Sequence, residues 1–239
     1  STTIVGFSDD QDARADFGPF APGFVTVPYG DLAALEAAID ETTVAVLVEP
    51  IQGEGGILPA TQAFIEAARC LATKYNALLV FDEVQSGNGR SGHLYAYQHY
   101  SVVPDVLTTA KGLGGGIPIG AMLTTAKHAE TLAFGTHGST YGGNPLACAV
   151  AHAVFGAINT PEMMANVKAR TAQLHEGLAA IGKRHGVFEG VRGLGLLVGA
   201  PMSAAWKGKA KEIVNAGLKH GVWTLVAGPD VLRMAPALN

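Results

Sequence analysis

Three apolar runs in this chain end in ionisable or polar residues, and those ends are where its chemistry should be sought. Lys111 directly follows Val106-Leu107-Thr108-Thr109-Ala110 and precedes a glycine run, Gly112 and Gly114 to Gly116. A lysine is most often a solvated surface residue. One set at the end of a buried strand is expected to be partly desolvated, which favours the neutral, nucleophilic amine that Schiff-base chemistry needs. Asp82 follows Leu78-Leu79-Val80-Phe81. It could serve as a helix cap or ion-pair partner, but a carboxylate so placed needs a cation or several donors. A protonated pyridine nitrogen would be such a cation, and holding that proton would keep the ring an electron sink. Gln85, three residues on, could bond a phenolate oxygen, and Val84 has the shape to lie flat on a ring or simply to fill core. Glu54 sits in a polar glycine loop, Gln52 to Gly56, after the run Val44 to Val48.

A further cluster, His137-Gly138-Ser139-Thr140-Tyr141-Gly142-Gly143-Asn144-Pro145, sets hydroxyls and glycines before a helix. Free N–H groups and the helix dipole suit an anion there, although an ordinary capped loop has the same composition. Other patterns fail. The glycines after Lys111 miss the dinucleotide fingerprint because Ile117 takes the third glycine position, and no P-loop or Gly-x-Ser-x-Gly elbow occurs. His175-Glu176 lacks the second histidine of a zinc-protease helix, so no metal site is expected.

The elements that must position these residues alternate between strands and helices. Residues 1–30 read as a strand start followed by loop. Asp31 is an N-cap for a helix carrying Leu32, Leu35 and Ile39. Val44 to Val48 reads as a strand buried on both faces. A helix from Thr61 carries Phe64, Ala67, Ala68 and Leu71 on one side, and Ala77 to Phe81 is the next buried strand. Val106 to Ala110 and Ile119 to Thr124 follow, and Asn144-Pro145 opens an apolar helix to about Ile158. This order predicts an α/β fold with a mostly parallel sheet, and ligands of such sheets bind outside the carboxyl ends of the strands. Thr160-Pro161 then opens a long helix with the stripe Met164, Val167, Thr171, Leu174, Leu178 and Ile181, ending at Gly186. A strand from Leu194 to Val198, a helix from Lys209 to His220 and a hairpin through Gly228-Pro229-Asp230 complete the chain. The expected division is 1–160 as a large domain and 161–239 as a linking helix with part of a small α/β domain.

Composition agrees. The 239 residues are 48% hydrophobic and 15% charged with 31 glycines, enough for a well-buried core. A net charge of −4 without a basic block argues against nucleic-acid binding. No apolar run reaches the ~18 residues of a membrane span. Cys70 and Cys148 read as two free core thiols, and with no glycosylation sequon they point to the cytoplasm.

Taken together, four segments resemble the class III aminotransferases, a family of fold type I pyridoxal 5'-phosphate enzymes. They are Glu49-Pro50-Ile51-Gln52-Gly53-Glu54-Gly55-Gly56, Phe81-Asp82-Glu83-Val84-Gln85-Ser86-Gly87, Ala110-Lys111-Gly112-Leu113-Gly114-Gly115-Gly116 and the His137 to Pro145 run. The resemblance covers essentially the whole chain and is nearest to the acetylornithine, succinylornithine and ornithine aminotransferase group of arginine metabolism. It implies transfer of the terminal amino group of N-succinylornithine, N-acetylornithine or ornithine to 2-oxoglutarate. Another ω-amine transaminase, an aminomutase or a catalytically incomplete fragment are the alternatives. It assigns Lys111 the Schiff base and the proton shuttle, Asp82 the pyridine nitrogen, Gln85 the ring hydroxyl and Val84 the underside of the ring. Thr140 would reach the cofactor phosphate of a neighbouring subunit, with Ser139 near substrate, which implies a homodimer with shared sites. Glu54 and Arg233 match a pair that closes for a terminal amine and opens to let Arg233 take an α-carboxylate.

The family carries further cofactor-binding residues before the position of Ser1 and more small-domain residues after that of Asn239. A polypeptide confined to these 239 residues is therefore expected to bind pyridoxal phosphate weakly, and its unfinished sheet edges should make it dimerise or dissolve poorly. Robust transamination by the purified 239-residue polypeptide would overturn the weak-binding expectation.

Overall fold

A computed structural model describes residues 2–8 and 11–239; Ser1, Asp9 and Asp10 lie outside the described residues. In chain order the elements are helices α1 (Thr2–Val5), α2 (Gln11–Arg14) and α3 (Leu32–Ala38), strands β1 (Ala45–Val48), β2 (Ile51–Gln52) and β3 (Leu58–Pro59), helix α4 (Gln62–Lys74), strand β4 (Leu78–Asp82), helix α5 (Tyr97–Tyr100), strands β5 (Val106–Thr109) and β6 (Ala121–Thr124), and helices α6 (Ala126–Ala129), α7 (Pro145–Ile158) and α8 (Pro161–His185). Strands β7 (Arg192–Leu194) and β8 (Leu197–Pro201), helix α9 (Ala210–Lys219) and strands β9 (Leu225–Ala227) and β10 (Val231–Met234) follow. None of the described helices is long and apolar enough to cross a membrane.

The helices start where short polar side chains cap them. Asp31, Thr61, Asn144 and Thr160 each accept a hydrogen bond from the backbone N–H three residues on, and Pro145 and Pro161 occupy first-turn positions where a missing N–H costs nothing. Gly186 ends α8 in the left-handed conformation, φ 63°. At the amino end, where a strand start was expected, the described residues form two one-turn helices instead.

The first sheet has the order β1-β4-β5-β6. β1 and β5 both run parallel to β4, and β6 returns antiparallel to β5. In this register Val48 lies beside Phe81, and Phe81 and Asp82 lie beside Leu107 and Thr108, so the carboxyl ends of β1, β4 and β5 meet at one edge. Helices α3 and α4 cover one face through Leu35, Ile39, Phe64, Ile65, Ala68 and Ala72, which pack on Val46, Val48, Leu79 and Phe81. Phe64, Ile65, Ala68 and Ala72 are the buried face of α4, and Ala67 and Leu71 only flank it. The other face is not covered in the same way. β1 alternates exposed and buried, Leu47 is 43% exposed, and every residue of β6 is exposed. The expectation that Val44 to Val48 is buried on both sides is thus corrected, because the described residues put helices over the Val46 and Val48 face and leave Leu47 open. Cys70 and Cys148 are free, as expected, but exposed rather than in the core. In α8, Val167 and Leu178 are buried, whereas Ile181 is exposed.

The second sheet, β7-β8-β10-β9, is antiparallel throughout. The single strand expected over Leu194 to Val198 is a hairpin. Gly195, φ 58°, turns between β7 and β8, and a Cβ there would sit 2.3 Å from the Arg90 carbonyl oxygen. That close backbone approach is invisible in a β-branched pattern. Ile51, Ile57, Ala96, Leu197 and Ala227 form a small core that joins the β2–β3 hairpin to this sheet.

The segment between β4 and α5 folds around Glu83, which is 0% exposed. Its carboxylate accepts from the Ala96 and Tyr97 amides, each at 2.7 Å, and from the Ser86 hydroxyl at 2.7 Å. Burial pushes its pKa up against those three bonds, with the Asp82 charge adding to the rise. Glu83→Ala would strand two amides and a hydroxyl beside a cavity. It is expected to cost about 2–4 kcal/mol, since each unsatisfied buried group costs about 1–3 kcal/mol and water can enter part of the space. Urea unfolding of the two proteins checks this.

Candidate active site

Parallel pairing sets the chemistry at one edge. Glu49 follows β1, Asp82 ends β4, and Lys111 lies two residues past β5. Asp82 is half-buried; its Oδ1 accepts the Val84 amide at 2.9 Å, and no described lysine, arginine or histidine forms an ion pair with it. Lys111 opens a 3-10 turn, Lys111–Gly114, with φ 45°, and its amine makes no ion pair with a described carboxylate. A non-glycine residue at positive φ is strained by roughly 1–3 kcal/mol, and such outliers cluster at functional sites. The burial expected of Lys111 is not present: among the described residues its side chain is exposed.

Glu54 and Arg233, 179 residues apart in the chain, meet at this edge. Arg233 Nη1 lies 2.5 Å from Glu54 Oε1, and Gln85 Nε2 donates to the same oxygen at 2.9 Å. Arg233 Nη1 also approaches Gln85 Oε1 at 3.5 Å. Gln85 is therefore part of the pair, with one amide hydrogen engaged and one left for another acceptor. The loop carrying Glu54 is held from the second sheet: Arg192 Nε and Nη2 donate to the Gly56 carbonyl at 3.0 and 2.6 Å, and the Gly228 amide donates to the Glu54 carbonyl at 2.6 Å. A Cβ at Gly53 would lie 2.5 Å from Gln85 Oε1, so any larger residue would push Gln85 out of the pair.

Glu49 belongs to the cluster, although the sequence reading quoted it without a role; the strand-end logic that found Asp82 would have found it too. Its Oε2 accepts the Gly53 amide at 3.0 Å. Burial raises its pKa above the usual value, the Gly53 bond opposes this, and the Asp82 charge adds to the rise. Ser139 and Thr140 are not brought to this edge. They lie in residues 129–146, exposed throughout, with Ser139 Oγ accepting the Gly142 amide at 2.9 Å. A cleft of ≈ 390 Å³ beside Lys111 includes Val84, Gln85, Asn88 and Gly112 in its lining but does not include Asp82.

The donor set fits pyridoxal phosphate: a carboxylate without an ion-paired cation, an amine with Glu49 and Glu54 nearby but no ion pair to either, and an amide with a spare hydrogen, all at one sheet edge. Asp82, Lys111 and Gln85 are the residues that could hold it.

Burial alone would raise the Glu54 pKa, but the hydrogen bond and charge of Arg233, with Gln85 and Lys111, outweigh it and hold the carboxyl below its ordinary 4.5. A lowered carboxyl pKa means the unfolded chain binds more protons near that value. The pair's stabilising contribution is therefore present above 4.5 and is lost as pH falls through the lower, folded-state value. Glu54 is 69% exposed in its side chain, so screening keeps the coupling to about 0.5–1 kcal/mol. A double-mutant cycle with Glu54→Gln and Arg233→Met should show that coupling at neutral pH and none well below pH 4.5.

Comparison with known proteins agrees with this geometry. The family profile "Aminotransferase class-III" matches residues 1–239. The chain is 58% identical over 222 residues to an acetylornithine aminotransferase of Pseudomonas putida, covering 93% of this chain and 55% of that protein. It is equally identical to a succinylornithine transaminase/acetylornithine aminotransferase of Pseudomonas aeruginosa. The chain thus spans little more than half the length of these relatives. Among solved structures, the ornithine aminotransferase of Toxoplasma gondii superposes with a TM-score of 0.92 at 35% identity, covering 100% of this chain and 57% of that one. An N-acetylornithine aminotransferase of Stenotrophomonas maltophilia gives 0.83 at 45% identity, over 89% of this chain and 56% of that one. The mixed α/β fold with its mostly parallel sheet is fold type I, and the chain belongs to the class III aminotransferases.

Proposed function

We propose that this chain carries the cofactor lysine of an aminotransferase that moves the terminal amino group of N-succinylornithine, N-acetylornithine or ornithine to 2-oxoglutarate. The observation that carries this reading is the shared edge of β4 and β5, where neither Asp82 nor Lys111 forms an ion pair with a described residue. The names of the relatives at 58% identity support the ornithine-type donors.

Pyridoxal phosphate, when bound, supplies an electron sink for the carbon bearing the amino group. With it bound, Lys111 Nζ would be the attachment point and the base that takes up the proton of that carbon. The Asp82 carboxylate would hold its pyridine N–H, the spare amide hydrogen of Gln85 would be available to its ring oxygen, and Val84 would offer an apolar surface to the ring. While Glu54 neutralises Arg233, the site admits a substrate that ends in an amine. When Glu54 turns away, the Arg233 guanidinium takes the α-carboxylate of 2-oxoglutarate in a two-pronged contact. Thr140 reaches the cofactor phosphate in a neighbouring subunit, with Ser139 near its substrate, and the exposure of residues 129–146 is consistent with that reach. The same reading takes residues 1–160 as the cofactor-carrying unit and 161–239 as linking helix and small domain. It makes the protein a homodimer, and two unpaired, exposed thiols suit a cytoplasmic location.

In protein supplied with pyridoxal phosphate, Lys111→Ala should abolish the site-bound visible absorbance and leave borohydride-fixed cofactor only at exposed lysines such as Lys74 and Lys207. An unchanged spectrum in Lys111→Ala would sink the proposal.

A further inference from the structure

Lys111 sits at φ 45°, in a conformation that side-chain-bearing residues adopt only when their surroundings hold them there. The holder is visible. Asn88 is 5% exposed, and its Nδ2 donates to Thr109 Oγ1 at 2.9 Å and to the Ala110 carbonyl at 3.1 Å. These acceptors belong to the two residues immediately before Lys111. Thr109, itself 2% exposed, is the last residue of β5, so the Asn88 amide supplies a donor just where the strand ends. Asn88 also limits the other side of the lysine: a Cβ at Gly112 would lie 3.2 Å from the Asn88 Cβ. Lys111 is thus flanked by three residues that all touch or abut one buried amide.

We infer that Asn88 is a positioning residue for Lys111: its amide fixes the Thr109–Ala110 exit from β5 and so sets the direction of the lysine amine toward the cofactor aldehyde. This rests on the reading of Lys111 as the cofactor lysine. The residue type matters as well as its size. Asparagine is among the residues that tolerate positive φ, and Asn88 itself stands at 54°. A hydrophobic side chain could fill the same volume but would leave a buried hydroxyl and a carbonyl without this donor. Aspartate would set an oxygen against the Ala110 carbonyl.

Two substitutions separate positioning from packing. Asn88→Gly keeps the left-handed backbone without strain and removes the amide. Asn88→Asp keeps shape and backbone tolerance and replaces the donor with an acceptor. The protein is incubated with pyridoxal 5'-phosphate and reduced with borohydride at a series of times and pH values. Adducts at Lys111 and at the exposed Lys74 and Lys207 are then counted by peptide mass spectrometry, with Tm measured alongside. The Lys111 rate relative to Lys74 is expected to fall at least roughly threefold to tenfold in Asn88→Gly, the range covered by one of its two lost neutral hydrogen bonds, and at least as far in Asn88→Asp. If one variant does not fold, the other carries the test. A Lys111 preference that survives substitution while Tm falls would show a purely structural residue and overturn the role of Asn88 alone. A native protein that labels Lys111 no faster than Lys74 would overturn the reading of Lys111 itself, and the inference with it.

Discussion

Parallel pairing of β1 and β5 on either side of β4 is the constraint on which the rest of the site depends. Strands that run the same way must end at the same edge, and the residues at or just past those ends are Glu49, Asp82 and Lys111. Hydrogen bonds of the sheet interior hold this edge; the carboxylates and the amine contribute little to it. Phe81 and Leu79, fully buried under α3 and α4, anchor the central strand. The site can therefore carry a carboxylate without a partner cation at Asp82 and a strained lysine without endangering the fold, because its geometry is set by apolar packing some distance away.

A second set of contacts brings in Glu54 and Arg233. The loop from Gln52 to Gly56 grows from the first sheet, but its carbonyls are gripped by Arg192 and Gly228 from the second. Arg90 links the sheets from the other direction, donating to the Leu196 and Pro236 carbonyls at 3.2 and 2.5 Å. Arg233 is fixed by its register in β10 beside Gly199 of β8. The ion pair is thus the meeting of a loop from the first sheet with a strand of the second. Its own energy is small, since the Glu54 side chain is 69% exposed, although the Arg233 side chain is only 13% exposed.

Buried polar groups do a different job along the segment from Asp82 to Lys111. Glu83 satisfies the start of α5, and Asn88 satisfies the end of β5. Glu83 through its carboxylate and Asn88 through its amide nitrogen are engaged by backbone or neighbouring hydroxyls, and both tie the loop to the strands that carry the chemistry. Such groups are costly to bury alone and rigidifying once satisfied. They are also the groups that a linear reading passes over, since a glutamate beside Asp82 and an asparagine among glycines look like loop chemistry.

What the amino-acid order determined by itself was what depends on neighbours a few residues apart. The caps at Asp31, Thr61, Asn144 and Thr160, the left-handed stop at Gly186, the alternation of strands and helices, and the turn at Gly228 all follow from short-range hydrogen bonding and steric rules. The strand-end positions of Asp82 and Lys111 were legible for the same reason, and four motifs in order pointed to the family. Tertiary structure alone decided which sheet face is covered, that Lys111 is exposed and held at positive φ by Asn88, that Gly195 breaks an apparent strand beneath the Arg90 carbonyl, and that Glu54 and Arg233 meet through Gln85. The contacts of Asn88, Gly195 and Arg233 join residues from 21 to 179 positions apart, where no local rule acts and only the packing of one layer on another brings the partners together.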